Sequence, residues 1–567
     1  MRHAWFRRGA GVVLLALAVW ACSYRLGAAP LLDDPNEAEY AEVAREMVEG
    51  GDWLTPHLND ALFLNKPPLT YWLIGLSTLA FGVNEFAARL PSACAALIVL
   101  ALLVKLGTQL YDRETGLLAG LVLLATGGFF VESHEVRPDL WLTVGVVGSL
   151  VALSRLLREP AQYTTAAARW PLIGWQVALA VGMLAKGLTG ILLSGLVAVV
   201  MIVVERRFDL VKRLLHPRGW WLFAVLIAPW HVVMSLWHPG FFWDYVVNQH
   251  LLFFFDRKLP RDSEPVSLLT FWGAFAFRLF PWTLFAPLAV WGAMRRRRRA
   301  HGTGDALLLA SVAAVLLFFS AASSRMEHYS IPAIPVAALL IARLFREYGS
   351  DEGCIPSGVI TATVVALTVL GWCGPFAVPR LVAAQEWLAP MHEFPDLARR
   401  VFVIVGVGLT AAAAAALGRR RSWAAVAIAV AFLAAVPSFV QGVVLLARVD
   451  SSAGMAKALR VLVEPDERVI YEAPVEYQNC AGFNYYMRRR LDLLRPPGFV
   501  APTYLTAYEG ELFISQDDLA QIWDSERVFL VTNPLAPRAK LDGTVPHPFY
   551  VVARDTVRWA VTNGPLR

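Results

Sequence analysis

The sequence predicts an α-helical polytopic membrane protein of about thirteen transmembrane helices, with a small C-terminal α/β domain outside the cytoplasm. Of the 567 residues, 57% are hydrophobic and only 17% are charged, whereas ordinary soluble domains contain about 25% charged residues. This composition excludes a disordered chain and a conventional soluble enzyme. Soluble-domain composition returns only near the C-terminus, which predicts the second domain.

Long apolar runs carry the prediction of the membrane part. A helix needs about 20 mainly apolar residues to cross a bilayer, and about thirteen runs approach this length. We predict that the first run is a transmembrane helix and not a cleaved signal peptide, because the small residues of a cleavage site are scarce after it. The runs cover roughly 9–28, 87–107, 115–132, 139–157, 171–185, 188–204, 219–237, 268–293, 305–322, 331–346, 357–376, 400–417 and 423–447.

Basic clusters predict the orientation of these spans. Lys and Arg are enriched in cytoplasmic loops, and thirteen spans with the N-terminus inside place four basic clusters on the cytoplasmic side. We expect the five consecutive arginines to contact membrane lipids, and we expect no nucleic-acid partner. The clusters lie within 2–8, 206–218, 295–299 and 419–421.

The same topology divides the chain into two domains. The membrane domain is expected at 1–447, with a first outer loop at 29–86 that contains juxtamembrane helices and a second at 238–267. The C-terminal domain is expected at 448–567.

Strand patterns support an α/β fold for the C-terminal domain. The segments 468–471 and 527–531 are rich in β-branched and aromatic residues and predict strands. The segment 517–523 predicts a helix between them.

The first outer loop begins with an acidic helix. We expect this helix at 37–48, along the membrane surface. Asp33, Asp34 and Glu37 crowd its start, where helix capping and a functional role are equally good explanations. Four later carboxylates are expected to form a solvated face. They are Glu39, Glu42, Glu46 and Glu49.

Cations and carboxylates also collect in other outer turns. Lys66 precedes two prolines, which hold it in an extended loop where its ammonium suits a phosphate ester. Lys186 lies between two apolar runs, where a charge is costly unless it is paired or functional. This collection at one membrane face predicts a site for a lipid-linked, phosphorylated substrate.

Several motifs resemble bacterial relatives of protein O-mannosyltransferases, closest to the 4-amino-4-deoxy-L-arabinose lipid A transferase group. The specific part is the first loop, at 36–47, 51–57 and 65–68. The resemblance covers most of residues 10–345. Weaker matches are Ala185-Lys186-Gly187, Pro229-Trp230-His231, Asn248-Gln249-His250, Pro281-Trp282 and the segment 325–335.

The resemblance implies a glycosyltransferase C-type fold in a bacterial inner membrane, with a cytoplasmic N-terminus and a periplasmic C-terminal domain. It implies a polyprenyl-phosphate sugar donor and transfer, on the periplasmic side, to a lipid, glycan or protein acceptor. The family's catalytic acid matches Glu37, while Asn36 stands where an Asp is expected. The base therefore stays open between Asp34 and Glu37, with Asp33 third.

Several of the remaining site residues lie in segments that carry the resemblance. Lys66 matches the lysine that contacts the donor phosphate, and three more residues are expected near that phosphate. These are Lys186, Arg325 and Tyr329. Four residues are expected to contact substrate. Tyr40 and His250 lie in matching segments, whereas Arg137 and Asp139 come from the charged outer turn at 132–139.

The resemblance makes no cofactor certain but leaves a divalent metal open. His250 matches a family histidine, whereas Asn65 stands where a metal-binding Glu is common. We expect Lys66 to neutralise the departing phosphate while a carboxylate takes the acceptor proton, with inversion at the sugar carbon.

Two other functions compete with this interpretation. A transporter or flippase of a lipid-linked sugar binds its substrate near mid-membrane, and Arg278 in the eighth run fits that position. A non-catalytic assembly subunit is the third interpretation. Release of polyprenyl phosphate from the donor separates an enzyme from both.

Overall fold

The computed structural model describes most of the chain. The described residues are 2–33, 37–158, 166–259, 265–300, 302–347, 354–383, 391–418, 420–472, 477–495, 505, 509–532, 545–555 and 558–565. Helices dominate the first 450 residues, and a mixed sheet follows them.

The membrane part consists of nineteen helices in the described residues, joined mostly by short turns. They are α1 (Arg2–Ser23), α2 (Glu37–Gly50), α3 (Leu69–Phe81), α4 (Glu85–Leu110), α5 (Arg113–Leu124), α6 (Gly127–His134), α7 (Asp139–Arg158), α8 (Ala166–Lys186), α9 (Leu188–Val204), α10 (Asp209–Leu214), α11 (Pro217–Trp237), α12 (Leu268–Arg278), α13 (Ala286–Ala300), α14 (Thr303–Ala321), α15 (Ile334–Glu347), α16 (Ser357–Ala383), α17 (Phe394–Leu417), α18 (Arg421–Ala434) and α19 (Val436–Asp450). A π-helix covers Trp243–Leu252, 3₁₀ turns cover Thr283–Phe285 and Glu327–Ala333, and a hairpin pairs β1 (His57–Leu58) with β2 (Ala61–Leu62).

Each predicted apolar run lies on a helix or on consecutive helical segments, so the protein is a multi-pass membrane protein. Within the described residues, eight helices are long and apolar enough to cross a membrane, or ten if each of two bent pairs counts once. The total of thirteen spans stays a prediction.

Two predicted spans are bent pairs instead of single helices. α5 and α6 meet at 67°, and α12 and α13 meet at 107°. Pro281 lies in the second break and lacks the backbone N–H that a continuous helix requires. The two breaks pack against each other, because the Gly127 N–H donates to the Phe280 carbonyl at 2.9 Å.

Two of the four basic clusters lie at one end of the bundle. Arg297 pairs with Glu205 at 3.0 Å, and Arg207 donates to the Leu157 carbonyl at 2.6 Å. The clusters at 206–218 and 295–299 therefore share one end, as their predicted topology requires. α7, α8, α9 and α14 each run from this end to the opposite end.

The C-terminal domain is the predicted α/β fold. Its elements are α20 (Ala453–Leu462), β3 (Arg468–Glu472), a 3₁₀ turn (Tyr477–Cys480), α21 (Ala481–Met487), β4 (Asp492–Leu494), α22 (Glu509–Leu512), β5 (Phe513–Ile514), α23 (Gln516–Ser525), β6 (Val528–Thr532), β7 (Tyr550–Arg554) and β8 (Trp559–Thr562). The six-stranded sheet has the order β5-β4-β3-β6-β8-β7. Strands β5, β4, β3 and β6 are parallel, and β8 and β7 are antiparallel to their neighbours. The predicted strands correspond to β3 and β6, and the predicted helix corresponds to α23.

The first loop and the C-terminal domain share one hydrophobic core. Val43 and Met47 of α2 lie in the same buried cluster as Phe483 and Tyr486 of α21. The domain therefore covers α2, and burying this apolar surface holds the two parts together.

This cover corrects the predicted solvated face of α2. Glu39 and Glu42 are buried, Glu46 is half-buried, and of the four only Glu49 is exposed. Glu42 is paired with Arg45 at 2.6 Å, which compensates its charge. A helix periodicity alone does not reveal a domain that packs on the helix from more than 400 residues away.

Candidate functional site

A cavity of about 690 Å³ lies at the end of the bundle opposite the Arg297–Glu205 pair. The first loop, the turn before α7, the junction of α8 and α9, the π-helix and the turn after α14 all contribute to it. Its charged lining residues are Glu39, Lys66, Arg137, Asp139, Lys186, Lys258 and Glu327. Separated parts of the sequence thus bring cations and carboxylates into one hollow.

Lys186 is the best-defined cation of the cavity. It ends α8, and its Nζ lies 2.6 Å from Asp139 Oδ1 and 4.5 Å from the centre of the Tyr329 ring. Gly187 follows with a φ of +68°, and a Cβ there would collide with His250. Glycine therefore permits the tight α8–α9 junction that aims Lys186 into the cavity.

Lys66 enters the cavity from the first loop, as the sequence predicts. The preceding Asn65 accepts a hydrogen bond from Gln249 of the π-helix at 3.0 Å. This bond ties the Lys66 loop to the second outer loop. Lys258 also lines the cavity from that second loop and is buried. It was not among the predicted site residues, because nothing in its local sequence separates it from other loop lysines.

Arg137 lies in the cavity, whereas Arg325 is directed elsewhere. Arg137 pairs with Glu135 at 3.3 Å and lines the hollow beside Asp139. Arg325 donates to the backbone carbonyls of Val266 and Ser320 at 3.2 and 3.5 Å. The predicted phosphate contact of Arg325 is therefore not supported, because its guanidinium holds the loop that follows the π-helix.

His250 has both ring nitrogens in hydrogen bonds. Its Nδ1 lies 2.6 Å from the Tyr245 carbonyl, so Nδ1 carries the proton, and Nε2 accepts from the Leu188 N–H at 3.0 Å. Burial lowers the pKa of His250 to about 4, and nearby Lys66 adds to this effect. A neutral His250 thus locks the π-helix onto the start of α9.

These bonds leave His250 poorly suited to bind a metal. Within the described part of the chain, no three His, Cys, Asp or Glu side chains come together as a metal site. The divalent metal that the resemblance left open therefore stays a prediction, and no step below uses one.

Glu37 is an anchor of the first loop and does not line the cavity. Its carboxylate accepts from Arg89 at 2.7 and 2.9 Å and from the Leu32 and Val136 N–H groups, both at 3.0 Å. Glu37 is fully buried. The predicted catalytic role of Glu37 is thus at odds with its position.

Asp33 also points away from the cavity. Its Oδ2 lies 2.6 Å from Arg558, the residue before β8, and its Oδ1 accepts from Ser452 at 3.1 Å. Asp33 therefore joins the first loop to the C-terminal domain. Asp34 lies outside the described residues, so its place in the site stays a prediction.

Glu39 and Tyr40 are the α2 residues that reach the cavity. Burial raises the pKa of Tyr40, and the nearby carboxylates of Glu39 and Asp139 raise it further. Because successive helix residues are rotated by about 100°, Glu39 faces away from the Glu37 anchor. The sequence predicted that Glu39 lies on a solvated face. Only knowledge of the Glu37–Arg89 pair, which sets the rotation of α2, could have shown that the Glu39 side chain points into the cavity.

One wall of the cavity is apolar and continues onto the membrane-facing surface. Leu192 is 50% exposed, Leu251 56% and Phe255 55%. Such an apolar surface, partly exposed and continuous with the cavity lining, suits a lipid chain. Further apolar lining residues are Phe253, Phe254, Phe318 and Phe319.

Comparison with known proteins gives one family and several relatives. Residues 65–233 match the family model for dolichyl-phosphate-mannose-protein mannosyltransferase. An undecaprenyl phosphate-α-4-amino-4-deoxy-L-arabinose arabinosyl transferase of Aeromonas salmonicida is 30% identical over 397 residues, which cover 65% of this chain and 69% of that enzyme. The namesake from Erwinia tasmaniensis is 27% identical, and the match spans 60% of this chain but only 61% of that enzyme.

The fold matches a solved structure along nearly its whole length. The crystal structure of ArnT from Cupriavidus metallidurans bound to undecaprenyl phosphate superposes with a TM-score of 0.85 and covers 98% of both chains. The sequence identity is 23%, so this similarity shows a shared fold.

The first testable prediction concerns the Glu37–Arg89 pair. Replacing Glu37 with Gln leaves Arg89 as a buried cation without its partner, which lowers the free energy of unfolding by about 3–5 kcal/mol. Thermal unfolding in detergent measures the loss. Asp396→Asn is the matched control, because Asp396 belongs to an exposed pair with Arg399 and its loss has little effect. Unchanged stability of Glu37→Gln with lost activity would instead support a catalytic Glu37.

The second prediction concerns pH. As pH falls below 6.5, the unfolded chain takes up the His250 proton while the folded protein resists it down to about pH 4. The stability contributed by neutral His250 is therefore present above pH 6.5 and is lost as pH falls towards 4, by up to about 3 kcal/mol. Unfolding of wild type and His250→Gln at pH 7.5, 6, 5 and 4 tests this. A parallel decline of both proteins would contradict it.

Proposed function

The chain belongs to the undecaprenyl phosphate-α-4-amino-4-deoxy-L-arabinose arabinosyl transferase family, and from this premise we propose that it is a membrane glycosyltransferase. The proposed reaction moves 4-amino-4-deoxy-L-arabinose from undecaprenyl phosphate to an envelope lipid of the lipid A kind. One observation carries the proposal, namely the meeting of Lys66, Lys186 and Lys258 beside an apolar wall that opens towards the membrane.

The cavity suits each part of such a donor. The polyprenyl chain lies along the apolar wall near Phe254 and Phe318, and the phosphate reaches the lysines at its end. Ammonium groups in a hollow that excludes water stabilise a phosphate more strongly than they do in solution. The sugar then lies beyond the phosphate, towards Glu39 and Tyr40.

The proposed chemistry is a single displacement. An oxygen of the acceptor attacks the anomeric carbon, while the bond from that carbon to the phosphate oxygen breaks and its electrons leave with polyprenyl phosphate. The lysines compensate the charge that develops on the phosphate. Glu39 takes the proton of the attacking oxygen, because it is the first-loop carboxylate that lines the cavity among the described residues. The sugar carbon is inverted.

Asp139 has a positioning role in this proposal. Its carboxylate holds Lys186 at 2.6 Å, so the ammonium stays aimed at the cavity before the donor binds. This pair also lowers the energetic cost of placing a cation at the membrane boundary. The arginine Arg137, next to Asp139, lies beside the sugar and orients its polar groups.

The site faces the periplasm of a bacterial inner membrane in this proposal. The basic clusters at 206–218 and 295–299 share the other end of the bundle, which supports a cytoplasmic position for that end because Lys and Arg are enriched in cytoplasmic loops. The N-terminus is then cytoplasmic, and the C-terminal domain is periplasmic.

A flippase of the same donor is the second candidate, and the two bent helix pairs favour it. Discontinuous helices form binding sites in transporters, and α12 ends at Arg278 beside the break of α5 and α6. Incubation of purified protein with the donor and lipid A separates the two functions. Release of undecaprenyl phosphate with a sugar-bearing acceptor supports transfer, whereas movement of intact donor between leaflets without release supports a flippase.

The third prediction is that Lys66→Ala lowers the transfer rate by at least about 100-fold, because a cation that stabilises the departing phosphate is lost. Initial rates of undecaprenyl phosphate release measure this. Lys212→Ala, an exposed lysine at the opposite end of the bundle, should keep the wild-type rate. If the two variants had equal transfer rates, Lys66 would have no role in the reaction.

The fourth prediction is that Glu39→Gln lowers the rate by about 10²- to 10⁴-fold, the usual contribution of a general base. Gln keeps the size of the side chain but cannot take a proton. Glu49→Gln is the control, because Glu49 lies on the same helix and is exposed. If Glu39→Gln turned over normally, the base would lie elsewhere and Asp34 would be the next carboxylate to test.

A further inference from the structure

The C-terminal domain reaches into the cavity through one side chain. Gln478, in the 3₁₀ turn after β3, lines the same hollow as Lys66 and Lys186. It is 7% exposed, although it belongs to the domain of soluble composition. Among the described lining residues, it is the one that comes from beyond residue 450. From this placement we infer that Gln478 binds the sugar of the lipid-linked donor and helps to select it, an inference that rests on the proposed function.

The order of parts along the donor supports this assignment. The apolar wall comes from the membrane helices, and the lysines lie at the end of this wall that is farther from the basic clusters at 206–218 and 295–299. A donor that enters tail first along the wall places its phosphate at the lysines and its sugar on the far side. The C-terminal domain covers that side, so Gln478 lies where the sugar is expected.

The chemistry of the side chain supports it as well. An amide has two N–H donors and an acceptor oxygen, and it carries no charge at any pH. It therefore matches hydroxyl and amino groups of a sugar, whereas a phosphate is better served by the nearby lysines. A site that hydrogen-bonds a substrate polar group favours that substrate over analogues that lack the group.

Topology places Gln478 at a favourable edge of the sheet. After β3 the chain adds β4 and β5 on one side and then returns to add β6 on the other side. Ligands of open α/β sheets bind outside the carboxyl ends of strands at such a reversal. Gln478 follows the carboxyl end of β3, the central strand at this point.

Three contacts hold the domain, and hence Gln478, in a fixed place over the first loop. Asp33 pairs with Arg558 at 2.6 Å. Asn59 exchanges two hydrogen bonds with the backbone of Leu491, both at 2.8 Å. The Leu31 N–H donates to the Tyr486 hydroxyl at 2.7 Å. Because these bonds are formed by the first loop that carries Lys66, the same loop positions both the amide and the lysine.

The test compares the donor with the same lipid phosphate lacking the sugar. Full-length protein in nanodiscs carries Gln478→Met, which keeps the side-chain length but removes the amide, or Gln478→Ala. Gln521→Ala, an exposed glutamine of the same domain, is the control. Binding of undecaprenyl phosphate and of its sugar conjugate is measured, together with KM for donor and acceptor and with kcat.

Both variants are expected to weaken binding of the sugar conjugate and raise the donor KM by about 3- to 10-fold, the value of one hydrogen bond. Affinity for undecaprenyl phosphate without the sugar, acceptor KM and kcat should stay at the control level, because the bond forms equally in ground and transition states. Normal binding of bare undecaprenyl phosphate also shows that the variants are folded.

Three results overturn the assignment. If Gln478→Met and the control bind the donor equally well, Gln478 does not contact the sugar. An equal loss for undecaprenyl phosphate with and without sugar indicates a structural or phosphate role, and a change confined to the acceptor KM assigns Gln478 to the acceptor. Failure of wild type to release undecaprenyl phosphate refutes the transfer reaction itself, and the binding comparison still decides the role of Gln478 in that case.

Discussion

The buried pair of Glu37 and Arg89 is the contact on which the site depends. Arg89 of α4 also donates to the carbonyls of Leu26, Ala29 and Pro30, while Glu37 binds the Val136 N–H. One ion pair thus fixes the exit of α1, the start of α2 and the turn before α7. A buried charge is tolerated only when its partners are complete, so each of these segments has little freedom to move. The cavity residues on α2 and in the turn before α7 are therefore held in fixed positions.

Charge balance is the second constraint on the cavity. Cations at a membrane boundary are costly unless they are compensated, and the Lys186–Asp139 pair at 2.6 Å provides compensation before any substrate is bound. The cation-π contact with Tyr329 adds to it. In the proposed function, a bound phosphate contacts cations that are already in position, so little reorganisation is needed. The apolar wall then binds the lipid chain, and the lysines fix the position of its phosphate.

The sequence predicted the helices well, because apolar runs of membrane length are a local property. It also placed Lys66, Lys186, Tyr40 and Asp139 among the site residues, through the charges of the outer turns and the resemblance, and the structure brings these four residues to one cavity. It did not identify the partner of Glu37, because Arg89 lies 52 positions away. The direction of Glu39 follows from that pair, and the position of Gln478 follows from a domain that packs on the first loop. Such long-range packing leaves no periodic signal in either segment.

The most direct test of this account is a cryo-EM structure of the full chain in nanodiscs with undecaprenyl phosphate. The account places the phosphate within hydrogen-bonding distance of the Lys66 and Lys186 ammonium groups, with the isoprenoid chain along Phe254 and Phe318. Density for the phosphate beside Arg278, between the breaks of the two bent helix pairs, would contradict it and would favour a transport function.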